Sequence, residues 1–475
     1  MFVYWEKLEI EDDIVVQKIF AITWLTWKAA IRFRLFAVVA ALLVLAVVGL
    51  PLVVKDDGTA RGFAQIILTY TLSAVTILLA FSTLWLSCGT LARDIEECQI
   101  QVLATKPIGR WQIWLGKWFG IASLNAALLV LAGACIYGLL EWRATKLPLM
   151  EQAQLRQELL VARGSAKEGD LSTYIDQDTE TILQNRLKQN PGISADLNEV
   201  RNQIREQVKA DYELVPPDNM RRWDINLGMA KDYLRDKPLQ LRVKFESADH
   251  SPLGNFVGLW EIGNPDTTNF VMLPPMPGMA PDTFHEFTIP PNLYSDKGML
   301  TIVFINQNNM SLTFPLQDGM EVLFPQGSFL INFIRALGII FCWLVLLAAI
   351  GLMAASFLSF PVAAFFSITM LLVAFSSGTL AETVDLGSVT TGTTPTAATR
   401  SLTDTIFIPI FKGMLAVLNL VEKFSPIDAL STGRSVPWSE LAAAFGQIVV
   451  LFGGLFAVIG IFMFSRRELA AAQSQ

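Results

Sequence analysis

The sequence predicts a membrane protein of the all-α class. It reads as a six-helix transmembrane bundle with a large extracytoplasmic α+β domain, a helical hairpin plus a β-sandwich, inserted between spans three and four. Three observations carry this. The 475-residue chain is 52% hydrophobic and only 17% charged, against roughly 25% charged in an average soluble domain. Its apolar residues gather into windows near the roughly 20 residues that cross a bilayer as a helix. These run Leu35–Val54, Ile66–Ser87, Phe119–Leu140, Phe333–Leu358, Pro361–Leu380 and Leu441–Phe464. Between 143 and 328 that pattern stops, and polar helical and alternating patterns replace it. Only helices or closed barrels satisfy their backbone in lipid, and continuous apolar runs mean helices.

Residues 1–34 read as a cytoplasmic N-terminus with an amphipathic interfacial helix. Val16, Phe20, Trp24, Trp27 and Ile31 share one helical face, and Gln17, Lys18, Lys28 and Arg32 lie mainly elsewhere. Trp with Lys and Arg is the composition of a helix lying in the interface plane. The same residues also suit a cytoplasmic extension of the first span. Residues 35–142 hold spans one to three, with a charged loop at 89–117.

Lys and Arg mark the cytoplasmic side. They stand before span one (Lys18, Lys28, Arg32, Arg34), between spans two and three (Arg93, Lys106, Arg110, Lys117) and after the last span (Arg466, Arg467). With six spans these places share one side, so both termini are expected to be cytoplasmic. Arg400, Lys412, Lys423 and Arg434 run against the rule, in a longer segment that obeys it less strictly. There Ile406–Leu420 is apolar but short, as an interfacial or re-entrant piece would be.

Residues 143–328 then fall outside. The part 145–215 reads as helical. Leu197, Val200, Ile204 and Val208 recur at helical spacing after a Ser194 cap, and Pro216-Pro217 closes the helical part. The part 236–326 reads as β-rich. Leu239, Leu241, Val243 and Phe245 alternate with polar residues, as in a half-buried strand. Leu300–Ile305 and Ser311–Phe314 flank Asn306-Gln-Asn-Asn309 as a hairpin would. Short strands with Pro, Gly and Asn turns suggest a sandwich, whose last strand runs into span four. Residues 329–475 hold spans four to six and a short cytoplasmic C-terminus.

Several functions are disfavoured. A net charge of −7 does not suit nucleic-acid binding. Cys88, Cys98, Cys135 and Cys342 all lie outside the inserted region, so it has no disulfide framework. His250 and His285 have no ligand-spaced neighbours, so no metal site is expected. A cleavable leader is not expected either, since the first apolar run starts only after about 34 residues. A phosphate-cradling loop needs Gly-x-x-x-x-Gly-Lys-Ser/Thr. Gly116-Lys117 is followed by Trp118 and lacks the first glycine, so the chain is not expected to hydrolyse ATP or act as an enzyme.

Four features resemble the permease subunits of type-2 bacterial ABC transporters (the ABC-2 class). Phe20–Arg34 precedes span one. Ile95-Glu-Glu, Leu103-Ala-Thr-Lys-Pro-Ile-Gly-Arg110 and Leu115-Gly-Lys117 follow span two. Ser425-Pro-Ile-Asp-Ala-Leu430 and Val436-Pro-Trp438 lead into span six. Phe464-Ser-Arg-Arg-Glu-Leu469 closes the chain. The likeness covers the spans and their flanks, and the second feature is its most specific. Cys98-Gln99 stands where the family often has glycine after the glutamates, and the inserted domain is larger than usual.

The resemblance implies that the loop is a coupling helix seated in a separate ATP-binding subunit, which carries ATP and Mg. It implies a second permease copy, as a homodimer or heterodimer, and a location in the bacterial inner membrane. This chain itself would bind no cofactor. The coupling residues are then Arg93, Asp94, Ile95, Glu96, Glu97, Ile100, Leu103, Lys106, Pro107 and Arg110. The carboxylates would meet basic groups, Ile95, Ile100, Val102 and Leu103 would anchor a short helix, and Pro107 would end it. Trp111, Trp114 and Lys117 re-enter the interface. Phe20, Trp24, Trp27, Arg32 and Arg34 would contact lipid.

Intramembrane polar residues are functional candidates. Asn125 is the clearest pathway residue, and Ser87 and Ser356 are weaker. Arg335, Glu382 and Asp385 read as rim charges that snorkel, and Gly453, Gly454 and Gly460 as packing positions. Trp260, Phe270, Phe284, Phe287 and Tyr294 suit a β core better than a sugar platform. The expected activity is ATP-driven export. The alternative is a mechanotransmission or assembly role, relaying ATP-driven motion to periplasmic partners without passing cargo.

Overall fold

The computed structural model describes residues 2–32, 35–53, 60–97, 100, 108–189, 197–247, 256–264, 270–273, 276–386 and 402–467. The protein is mostly helical, with a separate β-rich region. Among the described residues, four helices are long and apolar enough to cross a membrane, and a bent pair makes five if counted as one span. The chain forms two compact units, Met1–Ala162 with Gly327–Gln475, and Arg163–Gln326. The second is narrower than the 143–328 read from composition. Residues 143–162 group with the apolar helices, because Leu155 and Leu159 are buried in that unit's core.

In the helical unit, α1 (Phe2–Arg32) precedes α2 (Leu35–Val53), with a bend of 68° between their apolar parts. Then come α3 (Ala64–Glu96) and α4 (Arg110–Ala144). Helix α3 includes a π-helical turn at Ile67–Thr71. The short α5 (Leu149–Glu158) starts after Pro148, which suits a helix boundary. The buried stripe of α1 is Ile22, Thr26 and Ala30. It meets Gly116 and Gly120 of α4, where an added Cβ would lie 2.7 Å from Ile22 and from Thr26. Thr23 Oγ1 donates to Gly116 O (3.0 Å) and Trp27 Nε1 to Ser123 Oγ (2.8 Å). Contacts advance together along both chains, so α1 runs lengthwise and parallel beside α4. Glycines four apart permit such close approach. Val16, Phe20, Trp24 and Ile31 stay exposed.

Strand β1 (Val161–Ala166), whose last four residues begin the inserted unit, lies inside the part expected to be helical. A hairpin follows, α6 (Ser172–Gln189) and α7 (Leu197–Glu213). Ile204 and Val208 of the expected stripe pack on Ile175 and Leu183, and Val200 packs at their edge. The Ser194 cap lies outside the described residues. The strands are β2 (Leu214–Val215), β3 (Met220–Asn226), β4 (Leu239–Val243), β5 (Glu246–Ser247), β6 (Phe256–Gly263), β7 (Phe270–Met272), β8 (Met276–Met279), β9 (His285–Ile289), β10 (Met299–Asn306), β11 (Leu312–Thr313) and β12 (Met320–Ser328). They form sheets ordered β1-β12-β4-β9, β3-β10-β6-β7 with β8 also on β6, and β2-β11-β5. Trp223, Trp260, Phe245, Phe304 and Phe314 fill one core.

Two sequence expectations are corrected here. The β10–β11 segment is not a hairpin: β10 pairs with β3 and β6, and β11 with β2 and β5. Asn306 redirects the chain. Its buried amide donates to Val215 O and Met310 O at 2.9 Å, and its Oδ1 accepts from Asn308 N–H at 3.0 Å. Strand β4 is also more than half-buried. Arg242, on the face expected to meet water, is 3% exposed. It donates to Glu321 Oε1 (2.9 Å), and beside it Arg163 bonds Glu286 (3.2 Å) and Ser165 bonds Glu321 (2.7 Å). A buried charge is tolerated when paired this way.

The chain returns to the helical unit with α8 (Phe329–Phe357), α9 (Phe360–Phe375), α10 (Ser377–Leu386), α11 (Leu402–Glu422), α12 (Pro426–Ser431) and α13 (Trp438–Arg466). The expected window Pro361–Leu380 is broken at Ser376, between α9 and α10. Ser376-Ser377-Gly378 favours helix weakly, and Ser376 Oγ turns back to Leu372 O (3.0 Å). Helix α8 is the centre of the unit. It buries Ala336, Ala348, Ala349, Ala354 and Ala355 and approaches α3 where Gly351 faces Ser87. Asn332 of α8 is fully buried. It donates to Arg434 O (2.8 Å) and accepts from Val436 N–H (2.7 Å), fixing the segment before α13.

Candidate coupling site

The described ends of the 89–117 loop build a charged plate at one end of the helical unit. Arg93, Asp94 and Glu96 stand on the last turn of α3, and Arg110 and Lys117 on the first turns of α4. Lys117 Nζ lies 2.6 Å from Asp94 Oδ2 and donates to Thr90 O at 2.8 Å. Lys117 is 8% exposed. An ammonium in apolar packing needs such an anion and acceptor. Asp94 is therefore engaged within its own chain.

Glu96 Oε1 accepts the backbone N–H of Phe360 (2.9 Å) at the start of α9. A carboxylate complements the partial positive charge of a helix N-terminus. Arg93 lies over the Phe360 ring, 4.5 Å from its centroid, a cation–π contact. Arg110 Nη1 donates to Phe464 O, Ser465 O and Arg467 O at 2.7–3.1 Å. Those carbonyls close α13, where a cation is favoured. Arg467 Nη1 reaches Ser356 O at the end of α8 (3.3 Å). The plate thus ties the ends of α3, α4, α8, α9 and α13 together.

Ile100 is buried, and Ile95 partly so, in a core with Leu91, Trp114, Leu352 and Phe464. Ile100 therefore anchors the loop to its own bundle. Glu97 and Arg93 are exposed at the rim. Leu103, Lys106, Pro107 and Arg34 lie outside the described residues, as do Cys98, Val102 and His250. Arg467, Phe360 and the glycines facing α1 escaped the sequence reading as site residues. The paired Arg466-Arg467 was visible only as charge.

Asn125 is 2% exposed. Among the described residues its Nδ2 has no hydrogen-bond partner, and it lines a cavity of about 120 Å³ with Ala30, Phe36, Val39, Ser82 and Trp85. Ser87 and Ser356 donate to carbonyls of their own helices, which is a local backbone role. Gly460 packs on Trp114. Trp24 and Trp27 separate: Trp24 is exposed beside Lys28, and Trp27 bonds α4. Arg32 is exposed at the end of α1.

In the inserted unit Trp260 is core, 4.6 Å from Phe304. Phe287 and Tyr294 pack at its margin, and Phe270 and Phe284 are exposed. His285 Nε2 lies 2.9 Å from Ala280 O and its ring rests against Phe245. Among the described residues no group of three His, Cys, Asp or Glu is placed to hold a metal. Burial raises the Glu168 carboxyl above its ordinary range, opposed by Arg221, and burial lowers Arg221.

Comparison with protein-family descriptions, with curated proteins and with solved structures finds no match. The class defined by the fold is a multi-helix protein of membrane-spanning character with a separate β-rich unit.

Proposed function

We propose that this chain is the membrane-spanning permease subunit of an ABC exporter in a bacterial inner membrane. In this reading it forms a six-span bundle with both termini cytoplasmic and residues 143–328 outside. A second permease copy completes the bundle. A separate subunit binds ATP and Mg and hydrolyses the nucleotide.

The supporting observation is the charged plate. The helix ends that flank the loop between α3 and α4 are bonded through Glu96 to α9, through Arg110 to α13, and to each other through Lys117 and Asp94. A push on this loop is delivered to several helix ends at once. Coupling one packed element to another in this way turns local motion into rigid-body motion. The exposed apolar side chains of α1 supply the lipid-facing surface.

The test is purification of the tagged full chain in mild detergent, with identification of co-purifying chains. An ATPase carrying a P-loop is expected. Glu97→Lys, at the exposed rim, is expected to lower its association while membrane insertion is unchanged. If no ATPase co-purifies, the reading fails.

A further inference from the structure

We propose that Arg335 and the N-terminus of α13 form a binding site for the phosphate of an anionic phospholipid. The proposal is independent of the transporter reading. It asks only that α8 and α13 lie in a bilayer.

Arg335 stands about 9 Å into α8 at 1.5 Å per residue. The residue is 9% exposed, yet among the described residues it makes no ion pair. Its contacts are Nε to Ile331 O at 3.4 Å and the Trp438 ring, 5.4 Å from its centroid. A guanidinium in an apolar helix is costly without a counter-charge. Nη1 and Nη2 remain as a fork whose geometry fits a phosphate.

Trp438 is the first residue of the 29-residue α13. Pro437 precedes it, and among the described residues no side chain caps the helix. The N–H groups of Glu440 and Leu441 bond Pro437 O. Those of Trp438 and Ser439 remain among the orphan donors of a helix start. They add partial positive charge where an anion is favoured.

The two elements are held together in advance. A Cβ on Gly338, one turn beyond Arg335, would lie 3.0 Å from Leu441. Asn332, one turn before it, clamps Arg434 and Val436. The acidic group on this turn, Glu440, lies within electrostatic reach of Arg434.

The occupant follows from place and charge. Trp438 is 62% exposed at the end of an apolar helix, and such tryptophans sit at headgroup level. There the abundant anion is a phosphodiester. A headgroup without its own cation supplies the missing charge in full.

The test is native mass spectrometry of the delipidated full chain, titrated with phosphatidylglycerol, phosphatidylcholine or inorganic phosphate. Wild type is expected to take up one phosphatidylglycerol in preference to phosphatidylcholine. Arg335→Gln is expected to weaken that uptake about ten-fold or more, which is ~1.4 kcal/mol. Ser439→Pro removes one N–H at a position where proline is tolerated. It keeps the arginine and the fold and is expected to weaken uptake about three-fold, ~0.7 kcal/mol. Equal uptake by wild type and both variants overturns the site. Binding of inorganic phosphate without preference for phosphatidylglycerol overturns the lipid as its occupant.

Discussion

Asp94→Asn is expected to destabilise the helical unit, because it strands the ammonium of Lys117. The two groups are 2.6 Å apart, with side chains 10% and 28% exposed for Lys117 and Asp94. Breaking a fully buried pair costs about 3–5 kcal/mol. Water reaches this pair through Asp94, so the expected loss is about 2–3 kcal/mol. The remaining bond to Thr90 O does not neutralise the charge. Lys117→Met together with Asp94→Asn removes both charges and is expected to recover most of the stability, since matched apolar replacement of an ion pair is often neutral. Thermal unfolding in detergent measures the loss. ATPase association measured on the same proteins separates an internal staple from a partner contact. The double variant is expected to unfold and bind like wild type. Normal stability in Asp94→Asn, with ATPase association lost in both variants, would show that Asp94 faces the partner and refute the staple.

Further outcomes follow from other contacts. Gly120→Val places a methyl-bearing carbon 2.7 Å from Thr26 and is expected to cost about 1–3 kcal/mol, read as faster proteolysis of α1 from α4. Glu321→Ala leaves the 3%-exposed Arg242 without its 2.9 Å partner and is expected to cost about 3–5 kcal/mol. Adding Arg242→Leu should restore part of that loss in denaturant unfolding. Burial raises the Glu168 carboxyl above its ordinary 4.5. Its protonated form is therefore favoured in the folded state, and its contribution to stability is lost as pH rises through the raised value. Glu168→Gln is expected to flatten that fall in pH-resolved unfolding; an unchanged slope would show that another group titrates.

Local period was the part of the fold that the sequence carried openly. The windows at Ile66–Ser87, Phe119–Leu140 and Leu441–Phe464 fall inside α3, α4 and α13, and Phe333–Leu358 overruns α8 by one residue. The stripe at Ile204 and Val208 is where α7 buries itself. The window at Pro361–Leu380 misled because average hydropathy hides the weak Ser376-Ser377-Gly378 step. At the candidate site, sequence reading found Arg93 to Arg110 as a charged unit. It took Asp94 and Ile100 as surfaces for a partner, and the fold uses both internally.

The sequence by itself determined where the long apolar helices α3, α4, α8 and α13 lie and where the charged break between α3 and α4 falls. Backbone period and local propensity act over three or four residues, so they are written locally. Only the tertiary structure decided what each side chain meets. Gly116 and Gly120 matter because α1, about 90 residues earlier in the chain, lies on them. Asp94 is neutralised by Lys117 because α3 and α4 pack side by side. Arg242 is buried because strands far apart in the chain bring Glu321 and Glu286 beside it. Such pairings depend on which surfaces the packed core brings together, and no single window of sequence contains both partners.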